Sequence, residues 1–142
     1  MTDKLDEKED FIFNPIRSYL IVNSELNMSP GKLSAQMAHA GQLLTKKYYQ
    51  LKLSGLLTFE LLNIFDQWDN ADYGKIVLEA DPKEWIKVKE LSDHIVVIDN
   101  GLTQIAAGSE TVIIFWPMYK SQAPKLIKRL RQVKLLSLPP KS

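Results

Sequence analysis

Cysteine is absent from this chain. That excludes disulfides, a thiol nucleophile and thiolate metal ligation, and it suits a reducing compartment. Histidine occurs only at positions 39 and 94. Two histidines so far apart, with no cysteine, make no recognisable metal-site spacing. The chain has six glycines, and none builds a GxGxxG fingerprint, a phosphate-binding P-loop or a GxSxG elbow. No apolar run approaches the ~20 residues that span a bilayer, so no membrane partner is expected. The opening MTDKLDEKED is acidic and polar, unlike a secretory signal. A cytoplasmic protein is the plain expectation.

What is present is ordinary for a globular protein: 45% apolar and 25% charged residues. A length of 142 residues suits one domain with a proper core. We expect a mobile charged lead-in at 1–12, a single domain over 13–137 and a loose tail at 138–142. The net charge of +1 conceals an asymmetry. Residues 1–10 hold five acids against two lysines, whereas residues 120–142 hold seven basic residues and no acid. Such a basic end fits either a polyanion partner or a solvated helix face.

The apolar run SYLIVN (18–23) reads as a strand. Ser29 as N-cap and Pro30 at the first helical position open a helix running to about Gln50, with Leu33, Met37, Ala40 and Leu44 as its buried stripe. A shorter helix follows over 57–68. KIVLEA is a strand, DPKEWIKVKELSD a helix capped by Asp81, and HIVVID and TVIIFWP are strands, the last stopped by Pro117. The connection between these last two is too short for a helical crossover, so they should pair antiparallel. Ser121 to about Leu136 reads as an amphipathic helix, with Lys125, Lys128 and Arg129 on its polar side. The order β-α-α-β-α-β-β-α predicts an α/β fold: three layers, α/β/α, around a small mixed four-stranded sheet, largely parallel.

Two stretches carry chemistry. In NMSPGKLSAQMAHA, Lys32 sits in the first turn of a helix, where a cation is unfavourable by roughly 0.3–1 kcal/mol. Lys32, Gln36 and His39 share one polar stripe at i, i+4 and i+7. The stripe is either a solvated face or an anion site that adds a cation to free backbone N–H groups. The second stretch, from Asp99 through Thr103 and Gln104 to Ile105, lies where a strand ends. Strand ends in open α/β sheets collect functional sites, although Asp and Asn before Gly are also ordinary turn chemistry. His94 opens a strand and reads as structural, and Trp68, Trp85 and Trp116 as core or interface.

Together, MSPGKLSAQMAHA and DNGLTQIAAGSETV resemble the two signature segments of the type-2 peptidyl-tRNA hydrolases. The likeness extends from about Ser18 to Leu136, and the family's fold agrees with the element order above. The resemblance implies hydrolysis of the ester between a peptide and the terminal ribose of tRNA, with tRNA as partner, no metal or organic cofactor, and a homodimer. Phe115 and Trp116, read as lying near a surface, suit a contact between copies. Matched position by position, the family's functional residues fall on Lys32, Gln36, His39, Asp99, Thr103 and Gln104, with Thr111 as a further candidate.

These residue types supply what ester hydrolysis needs: an activated water, oxyanion stabilisation and a proton for the leaving oxygen. His39 is assigned proton transfer because its ordinary pKa lies near neutrality. Asp99 orients His39 or the water, Lys32 holds a phosphate or the oxyanion, and Thr103 and Gln104 place the ester. Gln36, Thr111, Lys125, Lys128 and Arg129 are assigned to substrate binding. Asn23 and Asn27 stand where the family usually has cations, which weakens the expected phosphate contacts there. The alternatives are a non-catalytic RNA- or protein-binding module on the same scaffold, and a hydrolase of another ester or amide.

Overall fold

The computed structural model describes residues 14–100 and 105–133. Strand β1 (Ile16–Asn23) is followed by a 3-10 turn (Ser24–Leu26) and helices α1 (Pro30–Leu53) and α2 (Phe59–Ala71). Then come β2 (Lys75–Ala80), α3 (Pro82–Lys89), β3 (His94–Ile98), β4 (Glu110–Phe115), β5 (Met118–Tyr119), the single helical turn α4 (Lys125–Lys128) and β6 (Arg131–Gln132). The expected lead-in at 1–12 and tail at 138–142 lie outside the described residues.

The α/β class holds, but the sheet has six strands rather than four, in the order β3-β4-β1-β2-β6, with β5 also on β1. Among the described residues only the β1–β2 pair is parallel; β1–β4, β3–β4, β2–β6 and β1–β5 are antiparallel. β5 resumes pairing with β1 at Ile16 and Arg17, after the Trp116-Pro117 break. Pro117 has no N–H to give the ladder, so the strand is interrupted there instead of ended.

The long C-terminal helix expected from 121 to 136 is not formed over its described residues, 121–133. Pro124 holds Ala123 in extended backbone (φ −60°, ψ 134°), which prevents a helix from crossing it. Among the described residues of this stretch, Lys120–Gln122 forms a 3-10 turn, Lys125–Lys128 a single α-helical turn, and Arg131–Gln132 pairs with Leu78 and Glu79 of β2. The Arg131 guanidinium also bonds both oxygens of Glu84, at 2.8 and 3.3 Å. Glu84 closes the capping box with Asp81 at the start of α3, so this arginine ties the sheet edge to a helix end.

The two faces of the sheet are covered separately. On one, Ala40, Leu44 and Tyr48 of α1 and Phe65 and Trp68 of α2 pack on Leu20, Val112 and Ile114. On the other, Trp85 and Val88 of α3, with Ile127 and Leu130, pack on Tyr19, Ile21, Ile113 and Phe115. Three layers result, as the sequence predicts. All three tryptophans are core residues, and His94 is structural: its Nδ1 lies 2.6 Å from the Leu91 carbonyl. Phe115 and Trp116 are buried, so they offer no surface to a second copy.

Tyr48 joins α1 to α2. Its ring stacks on Phe65 at 4.0 Å and its hydroxyl donates to Asp66 at 2.5 Å. That hydrogen bond, followed by burial, pushes the phenol up to about 12. Tyr48→Phe should lower stability by about 1.5–3 kcal/mol, the range for a hydrogen bond to a charged group. Because the folded pKa is raised, this advantage of the native chain should be complete below pH 10 and disappear as pH approaches 12. Denaturant titrations of the two proteins from pH 8 to 12 check it.

Candidate active site

The start of α1 is set by local chemistry. Ser29 caps it by accepting the Lys32 backbone N–H at 3.3 Å, and Pro30 occupies the first turn. A 3-10 turn leads in, and Ser24 donates to the Ala80 carbonyl at 2.9 Å, fastening the end of β1 to the end of β2. The same end of the sheet holds Asp99, one residue beyond β3. Its N–H bonds the Ser109 carbonyl at 2.9 Å, and its carbonyl takes the Gly108 N–H at 2.8 Å. Gly108 has φ +83°, a conformation that favours glycine. The backbone on both sides of Asp99 is thereby clamped.

Lys32 and Asp99 meet. The ammonium donates to Asp99 Oδ1 in an ion pair whose side chains are only 9% and 6% exposed. The anion met by this first-turn lysine is thus the protein's own carboxylate. Gln36, one turn on, is 3% exposed, and its Nε2 lies 3.5 Å from Asp99 Oδ1. Thr111 of β4 is fully buried; its hydroxyl donates to Gln36 Oε1 at 2.7 Å and lies 3.2 Å from the Val97 carbonyl. With Oε1 engaged by Thr111, the amide turns its NH2 toward Asp99.

Thr111 reaches Gln36 through an irregularity in the sheet. Val97 pairs with Val112, but Ile98 pairs with Glu110, so the register passes over Thr111. Glu110 therefore points to α3, where it accepts from Trp85 Nε1 at 3.1 Å and Lys89 Nζ at 2.8 Å. Thr111 and Val112 both face α1. A bulge of this kind redirects a side chain beside a site.

The structure thus brings Lys32, Gln36, Asp99 and Thr111 together. His39 lies elsewhere: it is exposed on α1, about 10 Å along the helix axis from Lys32 by helical rise, and among the described residues it has no hydrogen bond or ion pair. The contacts shown for Asp99 are with Lys32 and Gln36. Thr103 and Gln104 lie outside the described residues. Lys125, Lys128 and Arg129 are exposed on the sheet face covered by α3, opposite α1. Asn23, noted in the sequence only as standing where the family usually has a cation, has a structural setting that the sequence did not show. It is buried at the end of β1 and donates to the Glu110 carbonyl at 2.8 Å, while its Oδ1 has no partner among the described residues. No group of three or more acidic or histidine side chains among the described residues is arranged to hold a metal.

Fold and site define an α/β protein that keeps its polar machinery at one end of a mixed sheet, under the start of a helix. The chain belongs to the peptidyl-tRNA hydrolase PTH2 family, whose profile matches residues 16–133. It is 33% identical over 121 residues to a probable peptidyl-tRNA hydrolase 2 of Dictyostelium discoideum, covering 81% of this chain and 53% of that protein. A protein of the same description from Schizosaccharomyces pombe is 33% identical over 104 residues, 69% of this chain and 46% of its own length. A peptidyl-tRNA hydrolase of Thermoplasma acidophilum is 29% identical over 123 residues, 82% of this chain and 95% of that one. The chain thus spans about half the length of the two eukaryotic relatives and nearly all of the archaeal one.

Proposed function

We propose that this chain hydrolyses the ester joining a peptide to tRNA in peptidyl-tRNA, releasing both. The observation that carries the proposal is the buried Lys32–Asp99 pair, braced by Gln36, at the sheet end of a member of this family. Asp99 orients the attacking water, and the Lys32 ammonium stabilises the negative charge that develops on the carbonyl oxygen. His39, exposed on the same helix, takes the proton that the water loses on attack and returns it to the leaving ribose oxygen. Thr103 and Gln104 place the ester. Gln36 and Thr111 are too deeply buried to meet substrate, so their part is to hold Asp99 in position. No covalent intermediate is formed.

Lys125, Lys128 and Arg129 contact the tRNA body away from the reacting ester, in the cytoplasm. A homodimer requires a surface other than Phe115 and Trp116. No helix among the described residues is long and apolar enough to cross a membrane.

The test is release of peptide from an N-blocked aminoacyl-tRNA. The native chain should release it, and His39→Ala should slow release by roughly 10²-fold or more. An unchanged rate in that variant would remove His39 from the mechanism. Binding of tRNA without release would turn the assignment to a non-catalytic module, and release from another ester only would turn it to a different hydrolase.

A further inference from the structure

Thr111 is the extra residue of the register slip, and the strands on both sides of β4 have to pass it. On the β3 side, Val97 pairs with Val112 and Ile98 with Glu110. On the β1 side, the regular pairing runs from Leu20 opposite Ile114 to Val22 opposite Val112. Asn23 would face Thr111 in that register, but its side chain reaches one residue further. Its Nδ2 donates to the Glu110 carbonyl at 2.8 Å. A side-chain amide thus does on one flank what Ile98 does on the other. The preceding carbonyl, that of Ser109, takes the Asp99 N–H at 2.9 Å. Two successive peptide groups at the start of β4 are held in this way, one by Asn23 and one by Asp99. Asn23 is 9% exposed, and its Oδ1 is buried with no partner among the described residues. Such an acceptor is unfavourable, and an apolar side chain of the same shape would not carry it. What an apolar side chain cannot supply is the Nδ2 donor. The alternation of β1 sets Asn23 with Tyr19 and Ile21 on the face covered by Trp85 and Val88, away from Gln36. Asn23 therefore acts on the polar site through the backbone.

We propose that Asn23 is a positioning residue for ester hydrolysis: its amide, bonded to the Glu110 carbonyl, locks the slip that aims Thr111 at Gln36 and seats the Asp99 backbone on Ser109. The proposal rests on the hydrolase reading given above. Without the Nδ2 donor, the peptide group between Glu110 and Thr111 is free to rotate. The Thr111 hydroxyl then loses its aim at Gln36 Oε1, and the Gln36 NH2 group its aim at Asp99. The Ser109 carbonyl, one peptide away, holds the Asp99 N–H less firmly. Both routes end at the same carboxylate.

The experiment compares the full chain with Asn23→Leu, which keeps the shape of the side chain but not the donor, and with the smaller Asn23→Ala. Amide NMR and hydrogen exchange are read first. In both variants the Gln36 side-chain amide signals should shift, and exchange of the Asp99 N–H should quicken at least tenfold. The amides of Ile21 and Ile113, in the middle of the sheet, should keep their native protection. Release of peptide from an N-blocked aminoacyl-tRNA is read second. The kcat should fall roughly tenfold, with KM unchanged. Added to Thr111→Val, Asn23→Leu should slow release less than twofold further, because both changes act through Asp99. Native signals from Gln36 and Asp99 in the variants overturn the proposal. So does an unchanged kcat, or a fall that multiplies in full with that of Thr111→Val. Loss of protection throughout the sheet makes Asn23 a residue of general stability and also overturns it. If the native chain releases no peptide, the hydrolase reading fails by itself, and the exchange data still decide whether Asn23 holds Thr111 and Asp99 in place.

Discussion

Lys32→Met is expected to abolish most peptide release and to destabilise the fold. The variant leaves the Asp99 carboxylate almost fully buried with its cation removed, a change that typically costs 3–5 kcal/mol. The rate should fall by roughly 10²–10³-fold, the scale for loss of one stabilising group at a developing oxyanion. Stability and chemistry are separated by the double variant Lys32→Met/Asp99→Leu. Replacing both members of a buried ion pair by apolar side chains is often neutral or stabilising. The double variant should therefore recover most of the denaturation midpoint while release stays lost. Recovery of release along with stability would show that the pair only holds the fold together. Release rates and urea midpoints on the same preparations decide between these results.

Thr111→Val is expected to produce the second largest effect. Valine keeps the shape of threonine but cannot donate to Gln36 Oε1, which is left buried and unsatisfied at a cost of about 1–3 kcal/mol. The carboxamide is then free to turn over, and Asp99 loses the NH2 group now directed at it. Release should slow by roughly 10–100-fold, the effect of a small misplacement at a reacting centre. Because Thr111 has no exposed surface, the loss should appear in kcat, with KM and tRNA affinity nearly unchanged. Thr111→Ser retains the hydroxyl and should keep most of the rate. A rise in KM at constant kcat would instead mean that the hydroxyl contacts substrate.

The parts of the fold that were legible in the sequence are those fixed by neighbours in the chain. Ser29-Pro30 opens α1, and Ala40 and Leu44 form its buried stripe; Asp81, Pro82 and Glu84 open α3; Ile98 and Thr111 flank a connection short enough to force antiparallel strands. What escaped depends on distant partners. Met118–Tyr119 and Arg131–Gln132 are strands only because β1 and β2 offer them an edge, and two residues carry no periodicity to read. Leu126, Leu130 and Val133 do fall at helical spacing, but Pro124 and the Arg131–Glu84 contact prevail over that pattern. The site divides in the same way. Helical spacing alone puts Lys32 and Gln36 on one stripe. That Asp99, 67 positions from Lys32, takes this lysine as its partner is a property of the assembled sheet.

The register slip at Thr111 has a consequence for how the chain tolerates changes in length. A strand is a two-beat pattern, and here the beat is dropped once, so that positions 111 and 112 both address the helix that carries Lys32. Restoring the regular beat upstream of Val112 would carry the hydroxyl to the other face, among Trp85 and Val88, without altering a single residue type. The polar chain behind Asp99 is thus encoded partly as a count. A one-residue deletion in the connection before β4 that moves the slip would disconnect it as completely as removing the hydroxyl.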